Sequence, residues 1–402
     1  MSKKNLANTN EPIYLDNASS TPIDINVINE MLPFLTDFYG NPSSLHSLGR
    51  KSTIAVSQAR TRISKLIGSK SNEIYFTSGG TESNNLALIG SARLIDKMKS
   101  NRKRILISSI EHDSILETIK FIEKDMEFEI DYVPIKRNGL IDLDIFKEMV
   151  SRKTSLISIM LANNEIGTIQ PIKDMVEIAK AKNNETIFHS DAVQALGKIP
   201  INVNDLKLDM MTISSHKING PKGIGALFIK QGIHIKPIIY GGGQEMNLRS
   251  GTENVIAIVG FGKACEIWKE KLGSVQTKIV GLQRYMIDRV INEIPGSVLN
   301  GSSENRISSN VNFSFSGING EDLLIKLDEY GIEASTGSAC SSNKKQKASH
   351  VLKALGLTYD QVSGSIRFSI GYQNTQNQLK IAVDTLKKLV KEFREINGNG
   401  LT

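Results

Sequence analysis

The chain has 402 residues, 40% of them hydrophobic, with 49 Lys and Arg against 42 Asp and Glu. That length suggests two or so domains around a large core, and the two cysteines, Cys265 and Cys340, cannot build a disulfide framework. The net charge of +7 is dispersed rather than gathered in a basic block, so a solvated surface is expected and direct nucleic-acid binding is not.

The polar start, Met1–Glu11, has no apolar stretch of the kind a signal peptide needs. No run approaches the ~18 apolar residues of a membrane span, so no membrane contact is expected, and with only two cysteines a reducing cytoplasm is the simplest setting. Tyr14–Pro22 reads as a short strand leading into a turn, and Gly40–His46 as a loop rich in turn formers. Ile54, Val56, Ala59, Ile63 and Ile67 recur at helical spacing up to Gly68, which predicts a helix ending there.

From Glu73 onward, apolar runs of strand length alternate with amphipathic segments of helix length. This alternation predicts an α/β chain with a mainly parallel sheet covered by helices. Polar groups follow five of the runs. Glu73–Thr77 leads to Ser78-Gly79-Gly80-Thr81, Arg104–Ile110 to Glu111-His112, Ser155–Leu161 to Asn163-Asn164-Glu165, Thr186–His189 to Asp191, and Leu208–Ile213 to Ser214–Lys217. In an open α/β sheet the carboxyl ends of the strands form the ligand crevice.

Further on, Asn247–Asn254 is a polar loop. A helix is expected from Val255 to about Lys271 and a second from about Ser274 to Glu293. The shorter strands Asn310–Phe315 and Ser365–Ile370, with helices between and after them, predict a smaller α+β domain at the C-terminus.

Several groups carry chemistry. Lys217 sits between two serines and a histidine on one side and a glycine-proline turn on the other, where an amine of lowered pKa can act as nucleophile and base. Ser78–Thr81 opens a helix, so it reads either as a phosphate cradle or as a plain N-cap. Asp191 fits either a cap or a carboxylate beside a protonated pyridine nitrogen, and Gln194 can reach the same ligand from the next turn. His112 is a candidate to stack on a ring or move a proton, or is structural. Arg367, inside a strand, wants a carboxylate from the protein or from a substrate. Cys340 lies among small polar residues and precedes Lys344, Lys345 and Lys347, whose field favours a thiolate in an accessible, mobile loop. Cys265, in a helical pattern with Phe261 and Trp268, reads as inert packing.

Together these pieces resemble the NifS/IscS type of cysteine desulfurase, among the fold-type I enzymes that use pyridoxal 5'-phosphate. The resemblance runs from about Tyr14 to Tyr372 and rests most on Tyr14–Pro22, Gly40–His46, Thr77–Asn85, Glu111-His112, Asn163–Gly167, Ser190–Gln194, Ser214–Gly225, Arg249–Asn254, Ser335–Ser341 and Ser365–Gly371. It implies a large cofactor domain with a mainly parallel seven-stranded sheet over residues 24–272, and a small domain over 273–402 that carries the cysteine loop. Residues 1–23 would form a segment packing with the small domain.

The resemblance also implies roles. Lys217 would hold the cofactor covalently and shuttle a proton, and His112 would stack on its ring. Asp191 would pair with the ring nitrogen and Gln194 with the ring hydroxyl. Gly80, Thr81, Ser214 and His216 would hold the phosphate. Thr252 would reach the phosphate of a second subunit, which makes the protein a homodimer. Asn164 would serve cofactor and substrate, and Asn17 and Arg367 the substrate L-cysteine. Cys340 would take the sulfur as a persulfide and release L-alanine. It would then pass the sulfur to an acceptor protein for iron–sulfur cluster assembly or thiolation. No resident metal is expected, beyond a transient iron–sulfur cluster that Cys340 could share with a scaffold.

Three departures from the family pattern stand out. Ser19-Ser20 replaces a usual Ala-Thr. Asn343–Ala348 replaces an acidic, proline-containing segment. Phe393–Thr402 lacks the longer tail that members use to dock a scaffold. The weaker alternatives are a selenocysteine lyase on the same fold and a non-catalytic interaction protein.

Overall fold

In the computed structural model, residues 12–336, 348–396 and 398 are described. The strands in chain order are β1 (Ile13–Tyr14), β2 (Ile74–Thr77), β3 (Arg104–Ser108), β4 (Glu129–Val133), β5 (Thr154–Ser158), β6 (Ile187–Asp191), β7 (Met210–Ser214), β8 (Gly225–Ile229), β9 (Ser297–Leu299), β10 (Asn310–Phe315), β11 (Ile332–Glu333) and β12 (Ser365–Ser369). Seven of them form one sheet in the order β2-β8-β7-β6-β5-β3-β4. Only β8 runs against its neighbours; β2 and β7, both antiparallel to it, therefore point the same way as the rest. The expected mainly parallel seven-stranded sheet is the one observed.

Side chains alternate along a strand, so consecutive apolar residues enter opposite layers. Leu156, Met210 and Leu227 pack on one side with the helices Gly80–Lys97 and Asp113–Met126. Ile157, Met211 and Ala226 pack on the other with the helix Ser47–Ile67 and the first half of the helix Val255–Glu293. Burial on both faces explains why these strands are mainly apolar and do not alternate apolar with charged residues. Strand β4 was missed for the opposite reason. It is an edge strand, and Glu129 and Asp131 interrupt its apolar pattern.

The helix Ser47–Ile67 ends where the spacing predicts, with Gly68 in the left-handed conformation at φ 72°. The two helices expected between Val255 and Glu293 are instead one continuous helix of 39 residues. Its first half buries Ile258, Phe261, Cys265 and Trp268 in the large core. Its second half buries Ile279, Leu282, Met286 and Val290 in a separate core with β10 and β12. The boundary expected at 272/273 therefore falls inside a helix that both cores share. Gly273 leaves the helix unbroken, because the residues on either side of it are held by two different cores. The antiparallel sheet β12-β10-β9 backs the second core, and β1 pairs with β11 beside it, burying Ile13 and Leu15 there. Among the described residues no helix is long and apolar enough to cross a membrane.

Candidate active site

A cavity of about 230 Å³ opens at the carboxyl ends of β3, β5, β6 and β7. Parallel strands end on one edge, so the loops after them converge although they are far apart in sequence. His112, Asn164, Asp191, Gln194, Ser214, His216 and Lys217 all line it, as do Gly80, Thr81 and Arg367. A neighbouring recess of about 350 Å³ shares Gly80, Thr81, Ser214 and His216 and adds Ser78, Gly79 and Lys222.

Lys217 ends a short turn after β7, and its Nζ donates to Ala18 O at 2.7 Å and Ser19 O at 2.6 Å. The segment after β1 thus forms the wall that faces the lysine. Asp191, at the end of β6, accepts Val193 N at 2.9 Å on Oδ1 and Asn84 Nδ2 at 2.8 Å on Oδ2. Asn84 also donates to Ser114 Oγ at 2.8 Å, and its buried Oδ1 has no partner among the described residues. His112 caps the helix Asp113–Met126: its Nδ1 accepts Ser114 N at 3.1 Å, which leaves the ring proton on Nε2. His216 Nδ1 lies 3.3 Å from Ser20 Oγ. Burial first, then the charges of Lys217, Lys222 and Lys198, pull His216 down to about 4, so it is neutral near pH 7.

The helix Gly80–Lys97 starts at the shared recess, and its free N–H groups point there. The loop before it rests directly on β8. A Cβ at Gly225 would lie 2.7 Å from the Gly79 carbonyl carbon and 2.8 Å from Ile213 O, so only glycine allows that approach.

Arg367, 1% exposed on β12, donates through Nη2 to Asp16 Oδ1 and Ser19 Oγ, both at 2.8 Å, and through Nη1 to Asn164 O at 3.1 Å. Its buried Nε has no partner among the described residues. A protein carboxylate, Asp16, pairs with Arg367, and the guanidinium also lines the cavity.

Two expected site residues fall elsewhere. Asn17 is not in the cavity wall. Its amide donates to Ser369 O at 2.8 Å and accepts Gln373 Nε2 at 2.9 Å, so the side chain ties the N-terminal segment to β12, and Ala18 and Ser19 form the wall instead. Thr252 is exposed and outside this chain's cavity. Cys340 lies outside the described residues. Cys265 is a fully buried free thiol, pushed well up by burial, in keeping with its reading as packing.

Some site residues escaped the sequence reading. Asn84 lies one helical turn after Gly80 and Thr81, and that spacing was signal enough to find it. Glu111 stands in the polar pair that follows β3, but nothing in the sequence marks it as buried. It is fully buried beneath the site, and burial, assisted by Asp191, pushes it up to about 8. Its Oε1 accepts from Ser108 Oγ and Met160 N, while Oε2 has no partner among the described residues. The folded chain thus keeps a proton here that the unfolded chain releases above about 4.5, and this group costs stability as pH rises from there toward 8. The neutral variant Glu111→Gln keeps the Oε1 acceptor. Its melting temperature relative to wild type is expected to rise between pH 5 and pH 8, measured by calorimetry. A constant difference across that range would contradict the assignment.

The family model for aminotransferase class-V matches residues 13–381. The chain belongs to the class V aminotransferases, in their cysteine desulfurase family. The cysteine desulfurase IscS of Dictyoglomus turgidum is 46% identical over 385 residues, covering 96% of each chain. A solved NifS-like protein superposes with a TM-score of 0.87 at 37% identity, over 95% of this chain and all of that one. A structure of SspA in complex with cysteine superposes with a TM-score of 0.78 at 35% identity, over 90% of this chain and all of that one. As a cysteine desulfurase family member the chain has the α/β architecture that its sequence pattern predicts.

Proposed function

We propose that this chain is a pyridoxal 5'-phosphate-dependent enzyme that converts L-cysteine to L-alanine and leaves the sulfur on Cys340. The observation that carries this reading is the convergence of an amine, a carboxylate and an imidazole, Lys217, Asp191 and His112, in one cavity beside a helix N-terminus. The donor set fits the cofactor. The helix Gly80–Lys97, Thr81, Ser214 and neutral His216 suit its phosphate. Asp191, fixed by Val193 N and Asn84, suits a protonated ring nitrogen, and the unpartnered Asn84 Oδ1 and Arg367 Nε leave polar capacity around the site. When bound, pyridoxal phosphate withdraws electrons from the substrate's α-carbon and loosens its bond to sulfur at the next carbon.

The protein supplies attachment, orientation and proton transfer. Lys217 would hold the cofactor, and its amine would move protons at the substrate carbons. His112 covers the ring, with Nε2–H as its acid group. Arg367 offers its guanidinium to the substrate carboxylate, and Asn164 helps to position it. The substrate's carbon–sulfur bond breaks, a sulfur–sulfur bond forms on the Cys340 thiolate, and the carbon takes the proton that completes alanine. Leu45, Tyr39 and Tyr240 are 90%, 73% and 73% exposed, which supports burial in a homodimer whose second copy would receive Thr252. The acceptor of the sulfur is a protein serving iron–sulfur cluster assembly or thiolation, and the free thiol of Cys265 suits a reducing cytoplasm.

The test is an absorbance spectrum of the purified protein before and after L-cysteine, with alanine and sulfide assayed in the same tube. A yellow band that changes with L-cysteine, together with alanine, supports the reading. No yellow band after reconstitution with pyridoxal phosphate overturns it. Arg367→Leu should keep the band while raising KM for L-cysteine about ten- to a hundredfold, the cost of one charge-assisted contact. An unchanged KM would leave Arg367 a purely structural partner of Asp16.

A further inference from the structure

Lys198 has no role in the mechanism above, yet it sits against the site. Its Nζ donates to Gln194 Oε1 at 2.6 Å. Gln194 Nε2 in turn donates to Ala18 O at 2.8 Å, the carbonyl that also accepts Lys217 Nζ at 2.7 Å. A carboxamide can be turned either way, exchanging its oxygen and nitrogen. An ammonium has only donors, so it holds the oxygen and turns the NH2 away from itself. Ala18 O holds one N–H of that NH2. The other has no acceptor among the described residues, and Gln194 lines the cavity.

The surroundings make a lysine costly here. Burial first, then the charges of Lys217 and Arg367, pull Lys198 down to about 7, and His216 faces it as well. No carboxylate pairs with it among the described residues. A lysine placed among cations, bonded to a single amide oxygen and charged only below about pH 7, points to a functional constraint rather than to packing.

We propose that Lys198 is a positioning residue: it locks Gln194 with an N–H turned into the cavity toward the cofactor's ring hydroxyl, and so tunes the acidity of the bound ring. The inference rests on the pyridoxal phosphate reading above. A donor facing the ring hydroxyl stabilises its ionised form and opposes protonation beside it. Loss of the donor therefore raises the pH midpoint of the holoenzyme's absorbance change.

The test is a spectrophotometric pH titration of reconstituted holoenzyme for wild type, Lys198→Met, Gln194→Ala and the double variant. Lys198→Met and Gln194→Ala should each raise the midpoint by about half a pH unit or more, and the double variant should add nothing further. Should Lys198→Met not fold, Lys198→Gln replaces it, because a side chain one bond shorter and uncharged also loses the contact. A midpoint equal to wild type in Lys198→Met overturns the proposal. So does a full shift from Lys198→Met in the Gln194→Ala background, which would mean that the charge acts directly. A wild-type protein that forms no coloured complex overturns the cofactor reading and this inference with it. Coloured variants with unchanged midpoints overturn this inference alone.

Discussion

Lys217→Ala should be colourless after reconstitution and should lose about 10⁴-fold or more in kcat/KM, since attachment and proton transfer depend on the same amine. The fold should survive the change. Lys217 Nζ donates to Ala18 O and Ser19 O, and after the substitution Ala18 O still accepts Gln194 Nε2 at 2.8 Å while Ser19 borders an open cavity. The melting temperature should therefore stay close to that of wild type. Lys217→Arg should be equally colourless, because a guanidinium stays charged and offers no free amine. The decisive measurements are the spectrum and the alanine yield. A variant that keeps more than about a tenth of wild-type turnover would remove Lys217 from the chemistry, since loss of a general base alone costs about 10²- to 10⁴-fold.

Cys340→Ser should separate cofactor chemistry from sulfur transfer. The yellow band should remain and respond to L-cysteine, while alanine and sulfide fall to background. A hydroxyl is a far weaker nucleophile than a thiolate and cannot hold sulfur as a persulfide. The described residues on either side of Cys340 meet the site. Ser335 exchanges backbone hydrogen bonds with Arg367, and Ser349 Oγ donates to Glu165 Oε2 at 2.6 Å, next to Asn164. His350 Nε2 lies 2.9 Å from Glu111 O, next to His112. The chain thus leaves for Cys340 and returns from it beside the cavity. Normal turnover in Cys340→Ser would remove the thiol from the reaction. Cys265 could not replace it, being fully buried with its thiol pushed well up.

Much of this was legible in the residues themselves. Mainly apolar five-residue segments such as Met210–Ser214, in which only Thr212 and Ser214 are polar, announce strands buried on both faces, and polar residues just after them mark a crevice. Lys217, Asp191, His112 and Gly80-Thr81 were named on that basis, and all of them line one cavity. Local pattern suggests two helices where Val255–Glu293 is one, because it does not show that two cores grip one helix. The resemblance alone points to Asn17, whose side chain ties to Ser369 instead, one residue short of the wall formed by Ala18 and Ser19.

The sequence by itself determined most of the sheet and its chemistry-bearing edge, because strand burial and loop position are written in local periodicity, and its ordered motifs determined the family. Only the tertiary structure decided which partners complete each group. Asn84 against Asp191, Lys198 against Gln194, Ala18 and Ser19 against Lys217, Asp16 against Arg367, and the proton on Glu111 all follow from what surrounds a side chain. Hydrogen-bond direction and desolvation depend on distances between segments up to 351 residues apart in the chain, which no local pattern encodes.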